Sequence, residues 1–169
     1  MQLFLDRGYD QTTVADIAER AGVTSRTFFR YYADKREVLF GGSEALQTAM
    51  IDAVASAPAR AKPLDAIGAA LNAAADMIGG RRDFSRQRFA VINANPALGE
   101  RELSKMAGLS AALGEALRQR KVDEPAASLA AEAGIGVFRV AFERWVSDST
   151  DRPLRTVMQE SLDQLRSLR

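Results

Sequence analysis

Apolar positions recur along this chain at spacings of three and four, and no strict alternation bounded by turns marks a strand. Leu3, Phe4 and Leu5 sit on a segment that Gly8 ends as a left-handed stop. Thr13-Val14-Ala15-Asp16 reads as a capping box opening a short helix with Ile17, Ala18 and Ala21 on its inner face, and Gly22 closes it. Thr24 caps a third short helix to about Tyr31. Asp34-Lys35-Arg36-Glu37 is a further capping pattern, predicting a longer helix through Leu39, Leu46, Met50 and Val54.

Pro58 and Pro63 then bracket a linker, with Pro63 at the first position of a helix carrying Leu64, Ile67, Leu71, Ala75 and Ile78 up to Gly79-Gly80. A segment from about Asp83 to Asn95 holds Phe84, Phe89, Val91 and Ile92 and stops at Pro96. Leu98, Leu103, Met106, Leu113 and Leu117 mark a long helix to about Arg120. Asp123-Glu124-Pro125 starts the next, through Leu129, Val137, Phe138, Phe142 and Trp145, ending near Asp148. Arg152-Pro153 opens the last, with Leu154, Met158, Leu162, Leu165 and Leu168. The fold class is all-α: about nine helices, three short and then six longer, divided into a head over 1–45 and a helical domain over 46–169.

Short helices joined by a tight Gly-containing turn form the plan of a helix-turn-helix DNA reader. Gly22 supplies the sharp turn, Val23 is expected to plug the gap between the second and third helices, and Ile17, Ala18 and Phe28 to pin them together. The third helix then offers Ser25, Arg26 and Thr27, and one turn on Arg30, to base edges. Arg suits guanine in a bidentate contact, whereas Ser and Thr discriminate less. Thr13 and Lys35 stand at helix starts, where they can meet phosphates.

Composition narrows the chemistry. The 169 residues include no Cys and no His, which excludes disulfide scaffolds, thiolate zinc sites, cysteine nucleophiles and imidazole-based catalysis or metal binding. No helix face carries a paired-carboxylate constellation, so the expectation is a binding protein: no enzyme, no metal, no cofactor. Residues 1–40 hold six basic side chains (Arg7, Arg20, Arg26, Arg30, Lys35, Arg36) and six acidic ones (Asp6, Asp10, Asp16, Glu19, Asp34, Glu37). Affinity for DNA must then come from local placement and symmetry rather than from domain charge. No run reaches 18 apolar residues and no secretory signal opens the chain, so no membrane and a cytoplasmic location are expected.

The ordered stretch Gly8-Tyr9-Asp10-Gln11-Thr12-Thr13-Val14-Ala15-Asp16-Ile17-Ala18, then Ala21-Gly22-Val23-Thr24, then Phe28-Phe29-Arg30-Tyr31-Tyr32-Ala33-Asp34-Lys35, resembles the N-terminal signature of the tetracycline-repressor (TetR) family. That resemblance implies a homodimeric, all-helical transcriptional regulator, most often a repressor, released from a palindromic double-stranded DNA operator by a small-molecule inducer. Carried over by position, it implies phosphate contacts at Thr13, Tyr31 and Lys35 and base contacts at Ser25, Arg26 and Thr27. Thr24 and Arg30 are counted with the DNA-binding set. Phe29 stands where the family usually has a Tyr whose hydroxyl meets a phosphate; losing that bond costs about 0.5–1.5 kcal/mol. The family's first helix normally begins before the position of Leu3, so the expectation is that Met1 falls inside it. The alternative is a dimeric ligand-binding or interaction protein of the same fold with impaired DNA binding.

The stretch Arg88-Phe89-Ala90-Val91-Ile92-Asn93-Ala94-Asn95-Pro96-Ala97-Leu98, with the Leu-rich helix and Trp145 after it, resembles a subgroup with an acyl-CoA-like ligand domain, near the mycofactocin-system regulators. The candidate ligand-binding residues are Phe84, Arg88, Phe89, Ile92, Met106, Leu109, Leu113, Phe138 and Phe142; each could equally be core filling. Arg81, Arg82, Arg86 and Arg88 form the densest basic cluster, either a solvated face or a grip for an anionic group such as a CoA phosphate. The last two helices, with Gly134 and Gly136 permitting close approach and Trp145 beside them, are expected to build the homodimer interface.

Overall fold

The computed structural model describes residues 1–168 and contains nine α-helices: α1 (Gln2–Arg7), α2 (Val14–Arg20), α3 (Ser25–Tyr31), α4 (Ser43–Ser56), α5 (Pro63–Ile78), α6 (Arg82–Asn93), α7 (Pro96–Gln119), α8 (Glu124–Ser147) and α9 (Leu154–Ser167). Their starts follow the sequence. Thr13 accepts from the Asp16 amide while the Asp16 carboxylate accepts from the Thr13 amide, a complete capping box. Thr24 accepts from the Thr27 amide. Pro63, Pro96 and Pro125 occupy first-turn positions, where no amide proton is missed.

The expected helix from Asp34 to Val54 is broken in two. Asp34 caps only a single 3-10 turn, Lys35–Val38, and Gly42 at φ +91° interrupts the path before α4 begins at Ser43. The break lets Leu39 and Phe40 turn inward, where both are buried. Gly8 also takes positive φ, but with ψ 158° it lies outside the left-handed helical region and is not the expected stop. Val23 does not plug the turn. It is 41% exposed, and only its amide serves the joint, donating to the Ala18 carbonyl at 2.9 Å. Ala21 likewise faces solvent, so the α2–α3 joint is filled by Ala18 and Phe28.

In the body, α8 packs against α5, α7 and α9, and α4 against α5 and α7. The glycine pair of α8 separates in role. At Gly134, an added Cβ would lie 2.4 Å from Ile67 Cγ2, so this glycine lets α5 cross α8 within the chain; at Gly136 nothing stands within 4 Å. Trp145 is buried in this core and its indole N–H donates to the Arg152 carbonyl at 3.1 Å. Among the described residues α8 is the one helix long and apolar enough to cross a membrane, and Ala127, Ala131, Ile135, Phe138, Ala141 and Trp145 direct much of that apolarity into the core.

A second, smaller core binds the head to the body. Phe4, Tyr9, Leu39 and Phe40 are buried together with Val91 and Ile92 of α6 and Leu98 of α7. Three of these seven residues belong to the body, so the head is completed from outside.

Candidate nucleic-acid interface and its link to the body

On the outward side of the head, α3 presents Ser25, Arg26, Phe29 and Arg30, all exposed. At about 3.6 residues per turn these four fall within one arc of roughly 140°. Phe28 on the opposite side is buried and stacks at a tilt on Tyr32, their ring centroids 5.3 Å apart. Arg26 and Arg30 form no ion pair among the described residues. Arg30 is instead steadied by Tyr31: it donates to the phenol oxygen at 3.1 Å, and its guanidinium lies 4.9 Å from the ring centroid. Tyr31 is 69% and Phe29 56% exposed, a large aromatic area held in water beside two free cations.

The other residues expected to touch DNA are engaged within the head. The Thr13 hydroxyl donates to Asp16 Oδ2 at 2.6 Å besides accepting from its amide. These bonds, and Arg7 beside them, hold the Asp16 carboxyl below the usual aspartate range. The Thr24 and Thr27 hydroxyls lie 3.1 Å apart over the start of α3. Lys35 sends its ammonium inward, to the carbonyls of Tyr9 at 2.8 Å, Thr12 at 2.9 Å and Asp10 at 3.2 Å, over the Tyr9 ring. Three donors meet three acceptors, and the α1–α2 turn is tied to the 3-10 turn.

Sequence reasoning missed how the head is fastened to α7. Glu37 is held by Arg101 at 2.9 Å and Lys105 at 3.7 Å, and Glu102 by Arg88 at 2.8 Å. Arg88 also donates to the Leu39 carbonyl at 2.7 Å and lies over the Phe40 ring. Only the i, i+1, i+4 placement of three charges at 101, 102 and 105 hinted at such a post, and their partners are more than a dozen residues away.

Three members of the basic cluster are similarly occupied. Arg82 donates to the carbonyls of Trp145, Asp148 and Thr150, and Arg86 to those of Val146 and Asp148. They satisfy the end of α8, whose last carbonyls lack helical partners. Arg81 remains exposed.

Of the nine candidate ligand residues the structure brings six together. Leu109, Leu113 and Phe138 are buried in the body core, and Phe89, Met106 and Phe142 pack half-buried against it. Phe142 joins them as the centre of an aromatic row, 6.1 Å from Phe89, 6.0 Å from Phe138 and 5.9 Å from Trp145 between centroids. The other three lie apart: Phe84 is 45% exposed, Ile92 belongs to the head core, and Arg88 is bound to Glu102 and Leu39. Open clefts among the described residues lie elsewhere, one of about 420 Å³ between α5 and α9 and another of about 750 Å³ between the head and α7.

Residues 1–40 match the family described as bacterial regulatory proteins, tetR family, and residues 61–168 match the family described as the MftR C-terminal domain. The chain is 28% identical over 153 residues to the putative mycofactocin biosynthesis transcriptional regulator MftR of Mycobacterium tuberculosis (strain ATCC 25618 / H37Rv), covering 89% of this chain and 77% of that protein. It is 42% identical over 73 residues to the HTH-type transcriptional regulator TcmR of Streptomyces glaucescens, a match spanning 43% of this chain and only 32% of the relative. In fold it is similar to Thermus thermophilus FadR in complex with lauroyl-CoA, with TM-score 0.60, 22% identity, and 98% and 89% of the two chains covered. The fatty acid degradation regulator FadR of Bacillus halodurans aligns with TM-score 0.61 at 19% identity, covering 97% and 88%.

Proposed function

The chain belongs to the TetR family of transcriptional regulators, with an MftR-type C-terminal domain, and on that premise we propose that it is a ligand-responsive repressor that binds a palindromic operator as a homodimer. The observation that carries the proposal is the outward face of α3, where Arg26 and Arg30 have no carboxylate partner among the described residues and stand beside exposed Phe29 and Tyr31. Two such faces about 34–36 Å apart read successive major grooves. Ser25 and Arg26 contact base edges, with Arg26 on guanine, while Arg30 and Tyr31 contact bases or backbone. Thr13, Thr24, Thr27 and Lys35 act one step back. They hold the helix starts whose free amides face phosphates.

The dimer forms along α8, where Leu129, Gly136 and Val140 are exposed and Ala133 half-exposed on one stripe. Small residues at its middle permit close approach of a second copy. The inducer is an apolar, acyl-chain-like molecule that enters between α6, α7 and α8 by repacking Phe89, Phe142 and Met106. What supports this is the half-buried rim those residues make on the core and the lauroyl-CoA in the Thermus thermophilus FadR structure. With Arg82, Arg86 and Arg88 engaged, the acyl chain rather than an anionic group supplies most of the affinity.

The test is selection of bound duplexes from random sequence by the purified chain, then release by lauroyl-CoA against free CoA as control. We expect a palindromic site, and Arg26→Ala relaxing the preference at one base pair per half-site. If the parent and Arg26→Ala bind all duplexes alike, α3 is not the reading element.

A further inference from the structure

We propose that Phe29 is a specificity determinant that reads the C5-methyl group of one thymine in each half-site. This rests on the placement of α3 in the major groove proposed above. The ring is 56% exposed, yet it is not loose: it stands edge-on against buried Phe28 at 5.5 Å and 89°. A large apolar surface fixed in water is unfavourable in the free protein and gains when something apolar covers it. Its neighbours on the same arc, Arg26 and Arg30, have no carboxylate partner among the described residues, so the surface that covers it is polyanionic as a whole. Duplex DNA meets both conditions. A phenyl ring has no donor or acceptor for a phosphate or a base edge, and the apolar feature the major groove offers is the thymine methyl.

The spacing narrows which thymine. Side chains at i and i+3 of a helix stand about 5–6 Å apart at Cβ, and successive base pairs rise by about 3.4 Å. Arg26 and Phe29 therefore reach base pairs one or two steps apart. The half-site carries a guanine for Arg26 and, one or two base pairs from it, a thymine for Phe29.

The experiment uses the full chain and the duplex it selects. Each thymine is replaced in both half-sites by deoxyuridine, which removes only the methyl group, and affinity is measured for the parent, Phe29→Tyr and Phe29→Ala. Phe29 is exposed, and circular dichroism checks that the variants stay folded. We expect one thymine, within two base pairs of the guanine whose preference Arg26→Ala relaxes, at which deoxyuridine weakens the parent about fourfold per half-site, the size expected for one buried methyl. Phe29→Tyr keeps that sensitivity and Phe29→Ala loses it. If no thymine is methyl-sensitive in the parent, or if Phe29→Ala retains the same sensitivity, the assignment is overturned while the repressor reading stands. If the parent selects no sequence at all, both are overturned.

Discussion

Ile67 of α5 occupies the space that a side chain at position 134 of α8 would need, with Cγ2 lying 2.4 Å from an added Cβ. Gly134→Ala gains about 1 kcal/mol of helix propensity but forces overpacking that costs about 1–3 kcal/mol. Because the clash is with a branch at the base of Ile67, not with a flexible tip, we expect net destabilisation. Adding Ile67→Leu, which removes Cγ2, recovers part of it. Gly108→Ala, where nothing lies within 4 Å, stabilises instead. Urea unfolding midpoints for the four proteins check the ordering.

Lys35→Met leaves the carbonyls of Tyr9, Asp10 and Thr12 without their cation. Hydrogen bonds to charged groups contribute about 1.5–3 kcal/mol, so we expect a loss of about 2 kcal/mol in thermal or chemical unfolding without any DNA present. A lysine serving only a phosphate would leave that stability unchanged and lower affinity alone.

Arg88→Met removes the bond to Leu39 across the head–body junction and, within the body, the partner of Glu102. Leaving a partly buried carboxylate unpaired costs about 2–3 kcal/mol. Arg88→Lys is expected to rescue poorly, because an ammonium cannot span the carbonyl and both carboxylate oxygens as the planar guanidinium does. Hydrogen exchange of the Leu39 and Phe40 amides, compared between variants, reads the junction directly.

The Asp16 carboxyl, held low chiefly by the Thr13 hydroxyl and amide, gives the head a pH dependence of known sign. Its folded value lies below the ordinary aspartate value. Its contribution is therefore complete above the ordinary value and lost as pH falls through the folded one. Melting temperature should drop on acidification through that window, and Asp16→Asn should flatten this part of the profile while lowering stability at neutral pH. An unchanged profile in Asp16→Asn would remove the capping box from the account.

Leu129 and Val140 are 71% and 55% exposed along the outer stripe of α8. Leu129→Glu with Val140→Glu is expected to shift sedimentation from dimer to monomer and to abolish operator binding, with circular dichroism unchanged. A variant that remains dimeric places the interface elsewhere.

Much of this fold is legible in the residues themselves, because local chemistry decides it. Capping at Thr13 and Thr24 and prolines at first turns act over three or four positions, which spacing reveals. The break at Gly41-Gly42 was also written locally, but the capping pattern at Asp34 masked it, since that pattern suits a single 3-10 turn as well as a helix. Long-range partnerships leave no such trace. Arg82, Arg86 and Arg88 read as a basic patch because, apart from Glu102 at Arg88, their hydrogen-bond acceptors are carbonyls 49 to 68 residues away, and backbone oxygens carry no residue-type signal. Ile92 read as a pocket wall for the same reason: periodicity tells which face is buried, not which core it enters. On α3 the outward arc was legible, whereas the inward turn of Lys35 was not.

The small core containing Val91, Ile92 and Leu98 alongside Phe4, Tyr9, Leu39 and Phe40 bears on modularity. A fragment ending near residue 45 lacks three of seven buried side chains and should not unfold as a cooperative unit. A chimera that grafts this head onto another member's body must carry positions 91, 92 and 98 with it. The boundary of the inheritable unit thus cuts across α6 and α7 instead of following the chain.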